Sequence, residues 1–260
     1  MSRIKHMAPG LVADWTRVAA RIRSSRRVAV LFDFDGTLVK IAARPDQVRL
    51  STLTRRALRR LARHPRVTIA VISGRRRSEL LRLIAVEGIR YFGLYGWESR
   101  GGSTLRAPAA AALRRARELL SLYLPSVGGL WTEDKHFSLS VHLLGVSPPQ
   151  QGRVRRRLRA LLLPYRQTLR VIDNLRDVEI VPRRILGKGM AVQHLLAKPA
   201  LCRALPFYFG DDLSDEPAFE AVRKGISIRV GAARPTNAGY SLRDPAAVVS
   251  VLAKLEAALQ

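Results

Sequence analysis

VAVLFDFDGT, residues 28–37, decides how this chain is read. Five apolar residues run without a polar interruption and then stop at Asp33, Asp35, Gly36 and Thr37. A short apolar run bounded by turn residues is the pattern of a strand buried on both faces, as in a parallel sheet. The aspartates then fall at the strand's C-terminal end. In open parallel sheets that edge is where ligands bind.

The same pattern recurs on either side. A helix is expected near 51–64, then the strand VTIAVI (67–72), which runs into the helix start SGRRRSELLRLI (73–84). Another strand near 90–95 ends in YGWE. Further along come a helix from GKGMAVQHLL (187–196), the strand PFYFGDD (206–212), a helix near 215–223, the strand ISIRV (226–230) and a C-terminal helix from Pro245. Strands alternating with helices predict an α/β fold, a Rossmann-like core with a mainly parallel sheet. Segment 8–25 reads as a helix that docks on this core through Val12, Trp15, Val18 and Ala19.

The middle of the chain has a different period. After an Ala-rich helix (about 107–124), HFSLSVHLL (136–144) alternates Phe137, Leu139, Val141 and Leu143 with polar residues, the mark of a sheet with one wet face. A helix near 150–163 and two short strands, LRVID (169–173) and DVEIVP (177–182), complete a small α+β unit. The expected organisation is a core of residues 1–104 and 185–260 with an inserted domain at 105–184.

Composition bounds the function. The 260 residues are 47% hydrophobic and 25% charged, with Lys+Arg 46 against Asp+Glu 20 and a net charge of +26. Such a charge suits a polyanion, so a non-catalytic, basic nucleic-acid-binding protein is an alternative to weigh. The basic residues, mostly arginine, instead punctuate helices such as TRRALRRLARH (54–64) and GRVRRRLRAL (152–161), which is how solvated faces read. No specific nucleic-acid partner is expected. No apolar run approaches the roughly 20 residues of a membrane-spanning helix. The N-terminus lacks the apolar stretch of a signal peptide. Cys202 is the only cysteine, which excludes an internal disulfide and a cysteine metal cluster. A cytoplasmic protein is expected.

Against this basic background, acid is concentrated. Of eleven aspartates, Asp33, Asp35, Asp211, Asp212 and Asp215 sit in two segments, DFDGT and GDDLSDE, each after an apolar strand. Carboxylates crowded at one sheet edge repel one another unless a cation or proton offsets them. Mg²⁺, a hard ion that takes carboxylate oxygens and binds phosphate, is the natural candidate. A turn after the first strand and a capped helix start at Ser214 or Asp215 in the second are the ordinary alternatives for each segment alone. Ser73 and Gly74, where a strand meets a helix, offer a hydroxyl and backbone N–H groups to a phosphate. Lys188, between Gly187 and Gly189, is a compact cation that reaches phosphate oxygens.

The ordered set DFDGT, SGR, lysine and GDDLSDE resembles the haloacid dehalogenase superfamily of phosphatases. Within it, GLYGWE (93–98), WTEDKHFSLSVH (131–142), VEIVPRRILGKG (178–189) and VGAARPTNAGYSLRDPAAV (230–248) are similar to the trehalose-6-phosphate phosphatases, so that the likeness covers about residues 27–252. The resemblance implies Mg²⁺-dependent hydrolysis of trehalose 6-phosphate through an aspartyl phosphate, in trehalose biosynthesis. Asp33 is then the nucleophile and Asp35 the general acid and base, both on one face of the strand. Mg²⁺ is held by the Asp33 carboxylate, the Asp35 carbonyl and Asp211, with Asp212 and Asp215 acting through water or by orienting Lys188. Thr37, Ser73, Gly74 and Lys188 bind phosphate.

The inserted domain becomes a cap, and Glu133, Lys135 and Glu179 contact sugar hydroxyls. By residue type alone the E-D-K segment reads as an exposed turn, and His142 as an ordinary polar residue of its strand. Tyr95 and His136 stand where the family commonly has His and Gly. Both are expected to leave the phosphoryl chemistry untouched and to bear on the sugar, so sucrose phosphate and mannosyl-phosphoglycerate remain alternative substrates. Functional pairing with a trehalose-phosphate synthase is left open.

Overall fold

A computed structural model describes residues 6–42, 44–99, 105–124 and 127–260. The chain divides into two compact units, residues 1–100 with 187–260, and residues 101–186. The expected boundary at residue 104 lies outside the described residues.

The first unit holds a six-stranded sheet built on β1 (Val28–Phe32), β2 (Val67–Ile72), β3 (Arg90–Phe92), β8 (Leu205–Gly210), β9 (Ile226–Val230) and β10 (Tyr240–Leu242). The order is β10-β9-β8-β1-β2-β3, and every pairing is parallel. Alternate residues of β1 serve opposite layers. Val28, Val30 and Phe32 join the core formed with α1 (Trp15–Ser24), α2 (Thr52–Ala62), α3 (Arg77–Ile84) and α8 (Pro245–Leu259). Ala29 and Leu31 face α6 (Lys188–Leu196) and α7 (Glu216–Ala221). Burial on both faces is what the unbroken apolar run requires.

Two details differ from the sequence reading. Segment 8–25 is not one helix: Leu11–Asp14 forms a 3₁₀ turn before α1, and Leu11, Val18 and Ile22 are fully buried while Val12 is 58% exposed. The tight turn rotates Val12 outward and substitutes Leu11 in the docking face. The strand expected at 90–95 ends at Phe92, because Leu94 and Tyr95 adopt positive φ (46° and 60°), a conformation no strand accommodates.

The second unit is an antiparallel sheet in the order β4-β5-β7-β6, from β4 (Trp131–Asp134), β5 (Leu139–His142), β6 (Leu169–Asp173) and β7 (Asp177–Pro182). Leu139, Val141, Val178 and Ile180 pack against α4 (Ala107–Tyr123) and α5 (Pro148–Leu162). Register places Glu133, Ser140 and Glu179 side by side on the opposite face. The E-D-K segment is therefore the end of strand β4 and the turn after it, with Asp134 exposed and Glu133 partly buried. Lys135 is largely buried, and His136, at φ 66°, occupies the left-handed conformation that glycine adopts without strain.

Candidate active site

The register of the parallel sheet assembles the acidic residues. Phe32 pairs with Phe209 on one side and Val71 on the other, so the chain leaves β1, β8 and β2 at one level. Asp33 N donates to Phe209 O at 2.8 Å, seating the first residue past β1 against the end of β8. Carboxylate oxygens of Asp33, Asp211 and Asp215 lie within 4.8 Å of one another, and all three residues are buried.

Lys188 stands at the centre. Its Nζ is 2.9 Å from Asp33 Oδ1 and 2.9 Å from Asp215 Oδ1. Asp215 also accepts from the Tyr208 hydroxyl at 2.6 Å and, through Oδ2, from the backbone N–H groups of Asp211 and Asp212 at 3.0 and 2.9 Å. Four donors occupy its two oxygens, so Asp215 fixes the turn that carries Asp211 as well as orienting Lys188. Asp212 caps this 3₁₀ turn, accepting from Leu213 N, and Asp215 completes the capping box by accepting from Asp212 N. Asp215 is also the N-cap residue of α7.

Gly36 joins the two acidic segments. It has φ +80°, and a Cβ there would lie 2.0 Å from Asp211 Oδ2. Only glycine lets the DFDGT turn press against the Asp211 carboxylate.

Three buried carboxylates share one buried ammonium. Burial, reinforced by Asp215, pushes the Asp33 carboxyl up to about 7 despite the opposing charge of Lys188. Burial and the charges of Asp33 and Asp215 raise Asp211 well above the usual carboxylate range. Lys188 is raised as well: burial disfavours its charge, but Asp215 and Asp33 outweigh it. Carboxylate oxygens with excess negative charge are the donor chemistry of a hard divalent cation, so the residues present fit one.

Asp35 departs from expectation. β1 ends at Phe32, so both aspartates lie beyond the strand, and their carboxylates take different partners. The Asp35 carboxylate accepts two hydrogen bonds from Arg75, from Nε to Oδ2 at 2.7 Å and from Nη2 to Oδ1 at 2.8 Å.

Ser73 and Gly74 follow β2 in the tight turn before α3. Ser73 Oγ accepts from Arg75 N at 3.2 Å. Thr37 is fully buried, and its Oγ1 has no hydrogen-bond partner among the described residues. Tyr95 does not stand clear of this region. Its N–H donates to Ser73 O at 2.8 Å, and a Cβ on Gly74 would lie 2.9 Å from the Tyr95 hydroxyl. The residue sits against the turn because segment 93–97 folds back over it. Glu98 braces the same turn, accepting from Arg76 Nε at 2.8 Å and Arg77 N at 2.7 Å.

Three participants escaped the sequence reading: Arg75, Tyr208 and Glu98. Arg75 is the third residue of the SGR motif and was legible there. Tyr208 lies in an apolar strand, where nothing distinguishes a hydroxyl donor from a core aromatic.

In the second unit, the three residues expected at the sugar form one network. Lys135 Nζ donates to Glu179 Oε1 at 2.5 Å and lies 3.9 Å from Glu133 Oε2. Glu133 Oε2 is 2.9 Å from His142 Nε2, and the His142 ring stacks on Trp131 at a 3.8 Å centroid distance. Burial raises the Glu179 carboxyl, with Lys135 opposing.

Comparison with known proteins places this architecture. A family model described as trehalose-phosphatase matches residues 31–246. A protein of Oryza sativa subsp. japonica named probable trehalose-phosphate phosphatase 4 is 30% identical over 264 residues, spanning 95% of this chain and 70% of its own length. Among solved structures, the Candida albicans trehalose-6-phosphate phosphatase C-terminal domain aligns with a TM-score of 0.83 at 20% identity, covering 97% of this chain and 99% of that one. The sucrose-phosphatase of Synechocystis, solved with sucrose and phosphate, aligns with a TM-score of 0.54 at 20% identity, covering 89% and 98%. These structural likenesses establish the shared fold.

Proposed function

The chain belongs to the trehalose-phosphatase family of phosphoric monoester hydrolases, and on that premise we propose that it hydrolyses trehalose 6-phosphate to trehalose and phosphate through an aspartyl phosphate on Asp33. The observation that carries this reading is the buried Asp33–Lys188–Asp215 chain of contacts beside Asp211 at the end of β1.

In the first step an Asp33 carboxylate oxygen attacks phosphorus. The bond from phosphorus to the sugar oxygen breaks, and Asp35 gives that oxygen its proton. Lys188, the Thr37 and Ser73 hydroxyls and the Gly74 N–H hold the phosphoryl oxygens and stabilise the charge that builds on them. In the second step Asp35 takes a proton from water as the water oxygen attacks phosphorus. The Asp33–phosphorus bond breaks, releasing phosphate and restoring the carboxylate.

Mg²⁺ is the cation we assign to the carboxylates, held by the Asp33 carboxylate, the Asp35 carbonyl and Asp211; when bound it supplies positive charge that favours ionised Asp33 and offsets the phosphate. Asp215 holds Lys188 and the Asp211 turn. Asp212 braces that turn through Leu213 N. The second unit serves as a cap whose Glu133, Lys135 and Glu179 hydrogen-bond sugar hydroxyls, a role supported by their shared network on the helix-free face of the sheet.

No helix among the described residues is long and apolar enough to cross a membrane. We place the enzyme in the cytoplasm, with its substrate supplied by a trehalose-phosphate synthase. The test is a comparison of kcat/KM with Mg²⁺ for trehalose 6-phosphate, sucrose 6′-phosphate, mannosyl-3-phosphoglycerate and p-nitrophenyl phosphate. Trehalose 6-phosphate is expected to exceed the others by at least about a hundredfold, since p-nitrophenyl phosphate lacks the hydroxyls the site would bond and the other two sugars place theirs differently, leaving buried polar groups unpaired. Equal rates for all would overturn the assignment.

A further inference from the structure

The tail VGAARPTNAGYSLRDP (230–245) has no part in the mechanism above, yet it reaches the acidic turn at two points. Arg234 Nη2 donates to the backbone carbonyl of Asp211 at 2.8 Å, and its Nη1 lies 3.7 Å from Glu216 Oε1. Thr236 Oγ1 donates to Glu216 Oε1 at 2.9 Å, and Asn237 N donates to Oε2 at 2.7 Å. Glu216 directly follows Asp215, the residue that holds the N–H groups of Asp211 and Asp212. Asp211 is thus gripped at its N–H by Asp215 and at its carbonyl by Arg234. Thr236 is fully buried and Glu216 nearly so, which shields the Thr236–Glu216 contact from solvent.

We propose that Arg234 is a positioning residue for the divalent cation, fixing the Asp211 main chain so that its carboxylate is presented towards Asp33. The proposal rests on the reading of Asp211 as a cation ligand. With both backbone groups held, the carboxylate has only its side-chain torsions left to set, and a ligand fixed before binding gives the cation more affinity than one that must be ordered. The two-point reach of the guanidinium matters: a lysine has a single donor centre and cannot span both the carbonyl and Glu216.

The test is the Kd for MgCl₂, read without substrate from the MgCl₂ dependence of Tm in metal-stripped protein. Arg234→Met is expected to raise Kd about 10–100-fold, the usual effect of removing a partner that orients a ligand. Arg234→Lys is expected to fall between it and the unaltered protein. Thr236→Val, which removes a donor to Glu216 and leaves the Asp211 carbonyl held, is expected to lower the metal-free Tm with Kd changed less than about threefold. If Arg234→Met does not fold, Arg234→Lys carries the test. An unchanged Kd in the folded Arg234 variants, with or without a lower metal-free Tm, overturns the proposal. The control is Asp211→Asn, expected to abolish the MgCl₂ response. If it does not, or if the unaltered protein shows no response, the reading of Asp211 as a ligand falls and the proposal with it.

Discussion

Arg75 grips Asp35 through two parallel hydrogen bonds, at 2.7 and 2.8 Å, while Asp33 two residues earlier lies 2.9 Å from Lys188. The two aspartates of DFDGT thus have different partners, an arginine for Asp35 and a lysine for Asp33. With a leaving group that needs no acid, the first step then needs only Asp33, while the second still needs Asp35.

Asp35→Asn should therefore uncouple the two steps on a good leaving group. With p-nitrophenyl phosphate the variant is expected to release a burst of about one p-nitrophenolate per site, since that leaving group needs no acid. Steady turnover should then fall by about 10²–10⁴-fold, because water lacks its base. Stopped-flow absorbance reads both phases. Steady turnover at the unaltered rate would remove Asp35 from the mechanism.

Gly36→Ala tests the contact between the two acidic segments. The added methyl would sit 2.0 Å from Asp211 Oδ2 at a residue with φ +80°. Displacing that carboxylate is expected to lower Mg²⁺-dependent kcat/KM by about 10²-fold or more, the scale of a 1 Å misplacement. Retained activity would mean that the turn and Asp211 do not act as one site.

Gly74 and Tyr95 should be energetically coupled. Gly74→Ala places a Cβ 2.9 Å from the Tyr95 hydroxyl, so this variant alone is expected to lose activity. Tyr95→His alone should be mild, and the double variant should recover part of the loss, with a coupling energy of about 0.5–3 kcal/mol. Additive effects would show that the packing carries no weight.

How much of this was legible in the residues differs between the two units. The parallel core was plain because its strands are unbroken apolar runs, and DFDGT and GDDLSDE marked the ends of β1 and β8. β4 was not, because Trp-Thr-Glu-Asp has the composition of a loop, and only its pairing with β5 makes it a strand. β10 was missed because three residues, Tyr240–Leu242, are too few to show a period. The different partners of Asp33 and Asp35 were hidden for a different reason. A period of two holds only while the chain remains a strand, and β1 ends one residue before Asp33. The role of Tyr95 depended on a positive φ, which a tyrosine does not advertise.

Asp33 should leave a signature in the pH dependence of stability. Its carboxyl is raised to about 7 in the folded chain by burial, against about 3.9 when unfolded. Between those values the folded state keeps a proton that the unfolded state has lost, so its contribution to stability declines as pH rises from about 4 to 7 and is level above. In EDTA, Tm is expected to fall more steeply from pH 5 to pH 7.5 in the unaltered protein than in Asp33→Asn. MgCl₂ should restore the unaltered protein at pH 7.5. Equal slopes would contradict the burial of an ionisable Asp33.

If the Glu133–Lys135–Glu179 network binds the sugar as proposed, it predicts a split between substrates. Glu133→Gln removes the least buried carboxylate of the network and is expected to raise KM for trehalose 6-phosphate about tenfold, with p-nitrophenyl phosphate unaffected within about twofold. Lys135→Met should instead destabilise the fold by about 3–5 kcal/mol, because Glu179 is left buried without its cation. A uniform loss on both substrates for Glu133→Gln would move that residue out of sugar recognition.

The most direct measurement is phosphate release from trehalose 6-phosphate by the unaltered protein and Asp33→Asn, each with MgCl₂ and with EDTA. Turnover confined to the unaltered protein with MgCl₂, and lost in the other three conditions, is the predicted result. Release that persists in Asp33→Asn, or that is indifferent to EDTA, would contradict an enzyme built on a buried aspartate nucleophile and a divalent cation.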